Sequence, residues 1–459
     1  MTQERTLTEH TIAPVDSATT LPVEYAALAI VWSSAEPERV GEVALLDRRR
    51  TALIGRGDAS DNDPHPRLAF VRQRPGKNES QPPLQSPNLS RVQLIVRPVG
   101  QGVEVRNEGK CSLWFKGEAV DEATLSPGDV VRLGKQMQLL CVRRPGVLDE
   151  VDGPIGDFGA PDAAGLVGES AAMWALRKRI AFVSAHPGHV LVRGPSGTGK
   201  ELVSRAIHER SGVRGSFVAR NAATLPEGLI DAEIFGNVRN YPNPGMAERE
   251  GLIGAANGGT LFLDEFAELP GPLQVHLLRV LDDGEYHRLG ESKARTANFR
   301  LIGATNRPLE RIQEDVRARF RFKIDTPPLD ARREDIPLLA NHIIATGMGG
   351  EKLRLSAALC RTLVQHPWRT HVRELDSKLW DARAQSRGEW LDHAESQRAT
   401  TQIADRTLTR ARVVAALENN GGNQEQTWRA LGLTSRYALR RLMKRLGIEV
   451  ERRSKRSEP

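Results

Sequence analysis

The sequence predicts three kinds of fold in succession: an all-β sandwich, a parallel α/β sheet around a phosphate-binding loop, and a small all-α module. Three observations carry this. Short apolar runs separated by turns fill residues 25–144. From Leu166 strand and helix patterns alternate, and one strand, Val190-Leu191-Val192, runs through Gly194-Pro195-Ser196-Gly197-Thr198-Gly199-Lys200 into a helix. Three further helix patterns, the last with a basic face, follow from Leu408.

The bulk composition narrows the class. The chain has 459 residues, enough for about two to four domains. Its 39% hydrophobic and 27% charged content fits soluble globular domains, and no apolar run approaches a membrane span. The polar N-terminus is unlike a signal peptide. Cys111, Cys141 and Cys360 are scattered and odd in number, which points to a reducing cytoplasm rather than to disulfides or a zinc site. The net charge is +7, and it is not evenly spread. From Thr434 to Pro459 nine Lys/Arg stand against three Glu, a net of +6. An anionic partner is therefore expected at that end.

In chain order, residues 1–24 read as a disordered leader. The sandwich spans 25–144, with strand candidates Ala29–Trp32, Val43–Leu46, Leu68–Val71, Val92–Val96, Val130–Leu133 and Gln138–Val142. Residues 145–165, rich in Gly, Pro and Asp, read as a linker. The α/β unit occupies 166–330 and a helical lid 331–385, with Trp368 in the lid's core. A polar linker, 386–406, leads to the helical module at 407–449 and a basic tail at 450–459.

Within the sandwich, Thr51–Gly57, Asn88–Gln93 and Leu125–Gly134 resemble the forkhead-associated (FHA) family. The resemblance implies recognition of a phosphothreonine protein from loops at one end. Arg56 and Arg91 would fork onto the phosphate and the Ser90 hydroxyl would donate to it. Gln93 stands where the family has histidine, and the family's Asn-Gly pair is replaced near Cys111-Ser112, where Lys110 adds charge.

The glycine loop turns backbone N–H groups around an anion, and the helix after it adds a partial positive charge. Gly194, Gly197, Thr198, Gly199 and Lys200 are thus expected to hold the phosphates of ATP. Glu201 stands where the general motif has Ser or Thr for magnesium. Farther on, Gly258–Glu265 is an apolar strand ending in two carboxylates, the second half of an ATPase site. Asp264 would hold Mg2+ and Glu265 would orient or deprotonate the attacking water. The strand Phe299–Asn306 places Asn306 beside the γ-phosphate.

Together with Gly303-Ala304-Thr305-Asn306-Arg307 and Val372–Leu375, these motifs resemble the bacterial enhancer-binding proteins, the AAA+ ATPases that activate sigma-54 RNA polymerase. The resemblance implies a homo-oligomeric ring, dimeric at rest, with ATP bound between subunits. It places Glu201 among the nucleotide-binding residues, Asn221 as the residue that holds the catalytic glutamate idle, and Asn306 and Arg373 as the two sensors. The second arginine finger falls on Arg319; the first falls on Gln313, with Arg311 and Arg317 nearby. A surface pair between Arg319 and Asp315 is the alternative use of that arginine. The family's sigma-contacting loop, Gly-Ala-Phe-Thr-Gly-Ala, is replaced by Asn240-Tyr241-Pro242-Asn243-Pro244-Gly245. Its two prolines make a stiffer tip, which puts contact with sigma-54 polymerase in doubt.

The final helices form a helix-turn-helix that resembles the Fis-type module of the same family. Ser435, Arg436 and Tyr437 near the start of its last helix are the base-reading candidates, and Arg440, Arg441, Lys444 and Arg445 the phosphate-gripping ones. The whole reads as a cytoplasmic DNA-binding regulator at enhancer-like sites, driven by an AAA+ ATPase and controlled through the FHA-like sandwich. Two rivals stay open: a regulator that keeps ATP for assembly only, and an ATPase that remodels another protein.

Overall fold

The computed structural model describes residues 23–47, 50–226, 228–348, 353–386, 388–392, 410–420, 423–431 and 436–448. The expected leader, apart from 23–24, most of the second linker and the basic tail lie outside them.

Twelve strands build the sandwich: β1 (Glu24–Ser33), β2 (Val43–Leu45), β3 (Ala52–Ile54), β4 (Val71–Arg74), β5 (Lys77–Ser80), β6 (Leu94–Val99), β7 (Gly102–Asn107), β8 (Leu113–Phe115), β9 (Glu118–Val120), β10 (Glu122–Leu125), β11 (Val130–Leu133) and β12 (Met137–Pro145). They form an eight-stranded sheet, β5-β4-β2-β1-β12-β11-β8-β9, over a four-stranded one, β10-β7-β6-β3. The long antiparallel pair β1–β12 is its spine.

That spine is apolar on both faces, which an ordinary sandwich strand is not. Successive side chains point to opposite faces. Ala26, Leu28 and Ile30 enter the sandwich core with Leu139 and Cys141. Ala27, Ala29 and Val31, with Leu140 and Val142, enter a second core shared with Leu338, Leu359, Cys360 and Leu363 of the lid. The sandwich is therefore docked on the lid. Trp32 Nε1 donates to Leu355 O at 2.9 Å and Gln138 Nε2 to Ala357 O at 2.6 Å.

Segment 145–165 is a structured wedge rather than a loose tether. Arg74 donates to Gly156 O, and Gly159 N–H donates to Glu169 Oε1 at 2.8 Å. Phe158 lies under the Arg72 and Arg74 guanidinium groups.

The ATPase base follows as α1 (Ala171–Ser184), β13 (Val190–Arg193), α2 (Lys200–Arg210), β14 (Phe217–Asn221), α3 (Ile230–Phe235), α4 (Leu252–Ala255), β15 (Thr260–Asp264), α5 (Gly271–Asp283), β16 (Glu285–Tyr286), β17 (Arg295–Thr296), β18 (Arg300–Thr305), α6 (Glu314–Arg319) and β19 (Phe322–Asp325). Its parallel sheet runs β14-β15-β18-β13-β19. The glycine-loop strand β13 is thus flanked by β18, so the loop, Asn306 and the acidic pair all emerge at the carboxyl edge, where such sheets bind ligands. The lid comprises α7 (Ile336–Gly347), β20 (Arg354–Leu355), α8 (Ala357–Gln365), α9 (His371–Gln385) and β21 (Trp390–Leu391), and Trp368 is buried in it.

Of the last three helices, α10 (Arg410–Asn419) and α12 (Arg436–Arg445) share a core of Val413, Leu417, Leu439, Leu442 and Met443, against which Trp428 of α11 (Gln424–Ala430) packs. Among the described residues no helix is long and apolar enough to cross a membrane.

Candidate functional site

The glycine loop lies against the lid. Gly197 has φ +79°, and a Cβ there would come within 2.1 Å of the Thr370 carbonyl. Gly194, at φ +150°, would meet the Thr326 hydroxyl at 2.0 Å. Both positions need glycine for conformation and for space. Gly199 begins α2 in the left-handed region, so the first amides of that helix face the loop. Val372 N–H donates to Gly197 O at 3.1 Å and Arg373 Nη1 to Ser196 Oγ at 2.9 Å, which brings the predicted second sensor onto the loop.

Lys200 is buried, and its Nζ donates to the Gly194 and Pro195 carbonyls at 3.0 and 3.2 Å. Burial lowers its pKa, Asp264 and Glu265 oppose that, and Arg373 adds to it. Thr198 Oγ1 is taken by Pro195 O and Thr326 Oγ1, a structural role inside the loop. Glu201 points to solvent and pairs with Arg205 at 3.4 Å.

The two carboxylates sit as predicted at the end of β15. Asp264 Oδ1 accepts from Glu265 N–H at 3.0 Å. Glu265 has φ +52°, a strained value for a non-glycine residue that re-aims its side chain. Its Oε1 accepts from Asn306 Nδ2 at 3.1 Å, while its Oε2 is enclosed with no hydrogen-bond partner. Such an unpaired acceptor suits a water to be activated.

Asn221 caps the turn after β14, accepting from Ala223 N–H at 2.9 Å, and makes no bond to Glu265. The amide bonded to the Glu265 carboxylate in this structure is that of Asn306. The reason is local: an Asn ending a strand satisfies the next free amide two residues on, an Asx turn.

Loop, carboxylates and Arg373 line one cleft of about 410 Å³, with Leu166, Val167, Met173 and Ile343 as an apolar part. Phosphate donors beside an apolar slot fit a nucleotide. One free carboxylate oxygen on Asp264 matches magnesium, which takes one or two protein carboxylates and otherwise phosphate and water oxygens.

Arg319 ends α6 in an exposed fork onto Asp282, its Nη2 at 2.9 Å from Oδ2, and not onto Asp315. This pair raises the Arg319 pKa, the side-chain hydrogen bond contributing most. Gln313, at the first finger position, is bound within its own subunit to Gly271 O at 3.0 Å. The substituted loop folds on itself: Asn240 N–H donates to Met246 O at 2.8 Å, and Gly245 N–H to Asn240 Oδ1 at 3.1 Å. Tyr241 rests over Gly290 with 46% of its surface exposed.

Two family matches accompany this geometry. Residues 166–329 match the sigma-54 interaction domain and residues 330–411 the AAA+ ATPase lid domain. The transcriptional regulatory protein ZraR of Klebsiella oxytoca is 34% identical over 302 residues, which cover 61% of this chain and 68% of that protein. The chain belongs to the sigma-54 activator family of AAA+ ATPases. The Nif-specific regulatory protein of Klebsiella pneumoniae is 36% identical over 303 residues, 60% of this chain, and the match spans 58% of that relative's length. A solved structure of NtrX from Brucella abortus in complex with ATP aligns with a TM-score of 0.44 at 32% identity, over 62% of this chain and 69% of that one. The sandwich and the last three helices lie outside the sigma-54 interaction domain match, and only residues 410–411 of those helices fall within the lid match.

At the sandwich end the structure gathers Arg56, Ser90, Arg91 and Lys110. Arg56 N–H donates to Ser90 O at 3.0 Å, and Lys110 N–H donates to Ser90 Oγ at 2.9 Å, leaving the hydroxyl proton free. Gln93, in the histidine's place, ties the loops by donating to Asn107 Oδ1 and Cys111 O at 2.7 and 2.8 Å. In the last helices Arg440, Arg441 and Lys444 are exposed, with Arg440 Nε donating to Gln424 Oε1 at 3.2 Å. Ser435 lies outside the described residues; Arg436, Tyr437 and Arg445 lie on α12.

Proposed function

We propose that the chain is a DNA-tethered transcription regulator of the sigma-54 enhancer-binding type, whose ATP hydrolysis is controlled by the docked sandwich. The convergence of Lys200, Asp264, Glu265 and Arg373 on one cleft, with Asn306 bonded to the Glu265 carboxylate, carries this reading. Lys200, the loop amides and Arg373 bind and orient the triphosphate. Asp264 would hold Mg2+, which neutralises charge on the phosphates when bound. Glu265 Oε2 accepts a proton from the attacking water while Asn306 fixes the carboxylate through Oε1. Arg319 of a neighbouring subunit leaves Asp282 to stabilise charge developing on the transferred phosphoryl group, which puts turnover under the control of homo-oligomeric assembly.

The sandwich reads a phosphothreonine protein through Arg56, Ser90 and Arg91. Its docking on the lid, which carries Arg373, gives that signal a route to the cleft. The C-terminal helices bind DNA, with Ser435, Arg436 and Tyr437 toward bases and Arg440, Arg441, Lys444 and Arg445 toward phosphates.

A second reading is favoured by the loop at 240–245. Its self-bonded turn and its two prolines differ from a tip built to grip sigma-54, so the partner remodelled is another protein, or ATP serves assembly only. ATP turnover with Glu265→Gln as control tests the enzyme, and an open-complex assay with sigma-54 polymerase tests the partner. Turnover without open-complex formation supports the second reading; absence of turnover at high protein concentration removes the motor.

A further inference from the structure

Arg332 lines the same cleft and belongs to none of the motifs above. It is 3% exposed, in the turn Leu329–Asp335 that joins the base to the lid, where the backbone breaks at φ −141°, ψ 47°. Its Nη1 has only the Met173 thioether, at 2.8 Å. Its Nε is enclosed without a partner, and no described residue accepts a hydrogen bond from Nη2. The nearby carboxylate of Asp335 is already engaged: Oδ1 accepts from Glu169 N–H and Ser170 N–H at 2.7 and 2.9 Å, and Oδ2 from Ser170 Oγ at 2.6 Å. Burial works against the Arg332 charge and lowers its pKa, with Asp335 opposing.

A buried guanidinium left mostly unpaired is unfavourable, and native interiors rarely keep one without a ligand to meet it. The lining of the cleft divides by chemistry. The glycine loop, the carboxylates and Arg373 suit phosphates, whereas Leu166, Val167, Met173, Leu339 and Ile343 suit a flat base. Arg332 touches Met173 and so stands with the second group. A planar donor fork among apolar walls matches the ring nitrogens and ribose oxygens of a nucleoside, which are acceptors.

We infer that Arg332 reads the nucleoside end of the nucleotide, its free N–H groups donating to acceptor atoms of the base and sugar. This rests on the nucleotide-binding reading above and adds a second point of recognition to it. Because Arg332 sits on the joint between base and lid, the same contact ties nucleoside occupancy to the position of the lid.

The test is calorimetric titration of the full chain with ATP and, separately, with inorganic tripolyphosphate, which has no nucleoside. Arg332→Met is expected to lose on the order of 10- to 100-fold in ATP affinity, the worth of charge-assisted hydrogen bonds, with tripolyphosphate affinity unchanged. Should that variant fail to fold, Arg332→Lys keeps the charge near Asp335 and loses the fork; it is expected to lose at least about 10-fold for ATP alone. ATP affinity within about twofold of wild type in either folded variant overturns the inference, as does an equal loss for both ligands, which would mark a structural role. Failure of the unaltered chain to bind ATP would instead remove the nucleotide reading itself.

Discussion

Arg144→Met would test the joint between the sandwich and the ATPase most sharply. Arg144 is 1% exposed on β12, and it reaches in three directions. Its Nε donates to Gln73 Oε1 at 2.8 Å, Nη2 to Glu169 O at 2.8 Å and Nη1 to Glu334 Oε1 at 3.3 Å. One side chain thus links two sandwich strands, the start of the base and the turn into the lid. Methionine fills similar volume but leaves Glu334 without its counter-charge. Breaking a buried pair from one side costs about 3–5 kcal/mol. The sign of the pH dependence follows from Glu334. Burial raises its pKa above 4.5 and Arg144 pulls it back, so removing Arg144 raises it further. A carboxyl raised by folding does no harm where both states are protonated, and it weakens the fold as pH rises from the unfolded value through the folded one. The deficit of the variant is therefore largest at neutral pH and shrinks as pH falls toward 4.5. Native-state hydrogen exchange at the β1 and α8 amides, corrected for intrinsic rates, reads the opening free energies at both pH values. A loss under about 1 kcal/mol, or one that does not change with pH, would place Arg144 in an ordinary exposed contact instead.

Asn306→Ala should lower kcat by about 10²-fold by releasing the Glu265 carboxylate, while Asn221→Ala should leave kcat within about threefold in steady-state turnover. Gly197→Ala drives a Cβ into the Thr370 carbonyl at 2.1 Å, and it should abolish the ATP-dependent rise in melting temperature. Titration with a phosphothreonine peptide should show binding that Arg56→Ala and Arg91→Ala weaken by about 1.5–3 kcal/mol each, and equal binding of the unphosphorylated peptide would remove the phosphate from the account.

The ATP cleft was legible because its determinants are local: a glycine loop between strand and helix, and an apolar strand ending in Asp264-Glu265. The direction of a side chain at a strand end is not local in that way. Asn221 ends β14 and Asn306 directly follows β18, yet one caps a turn and the other holds Glu265. The docking of the sandwich had a signal that went unread. Tyr25–Trp32 is apolar without alternation, the mark of a strand covered on both faces, and the second face needed the lid to complete it. The wedge at 145–165 looked like a linker because Gly and Pro also serve where backbone must pass close to buried charge. Arg332 lay hidden in Asp330–Asp335, a run of charges that reads as solvated until the backbone break turns one guanidinium inward. The loop at 240–245 was identified as altered from its residues alone, whereas its closure through Asn240 required coordinates.

Mixing two inactive variants tests directly whether the ATP site is completed between subunits. Arg319→Ala keeps its own Lys200, Asp264 and Glu265, and Glu265→Gln keeps its Arg319. Each alone should hydrolyse ATP at least about 10²-fold more slowly than wild type, and a mixture of the two should recover turnover well above either. A mixture no faster than its components, with both variants folded and assembled, would contradict the shared site.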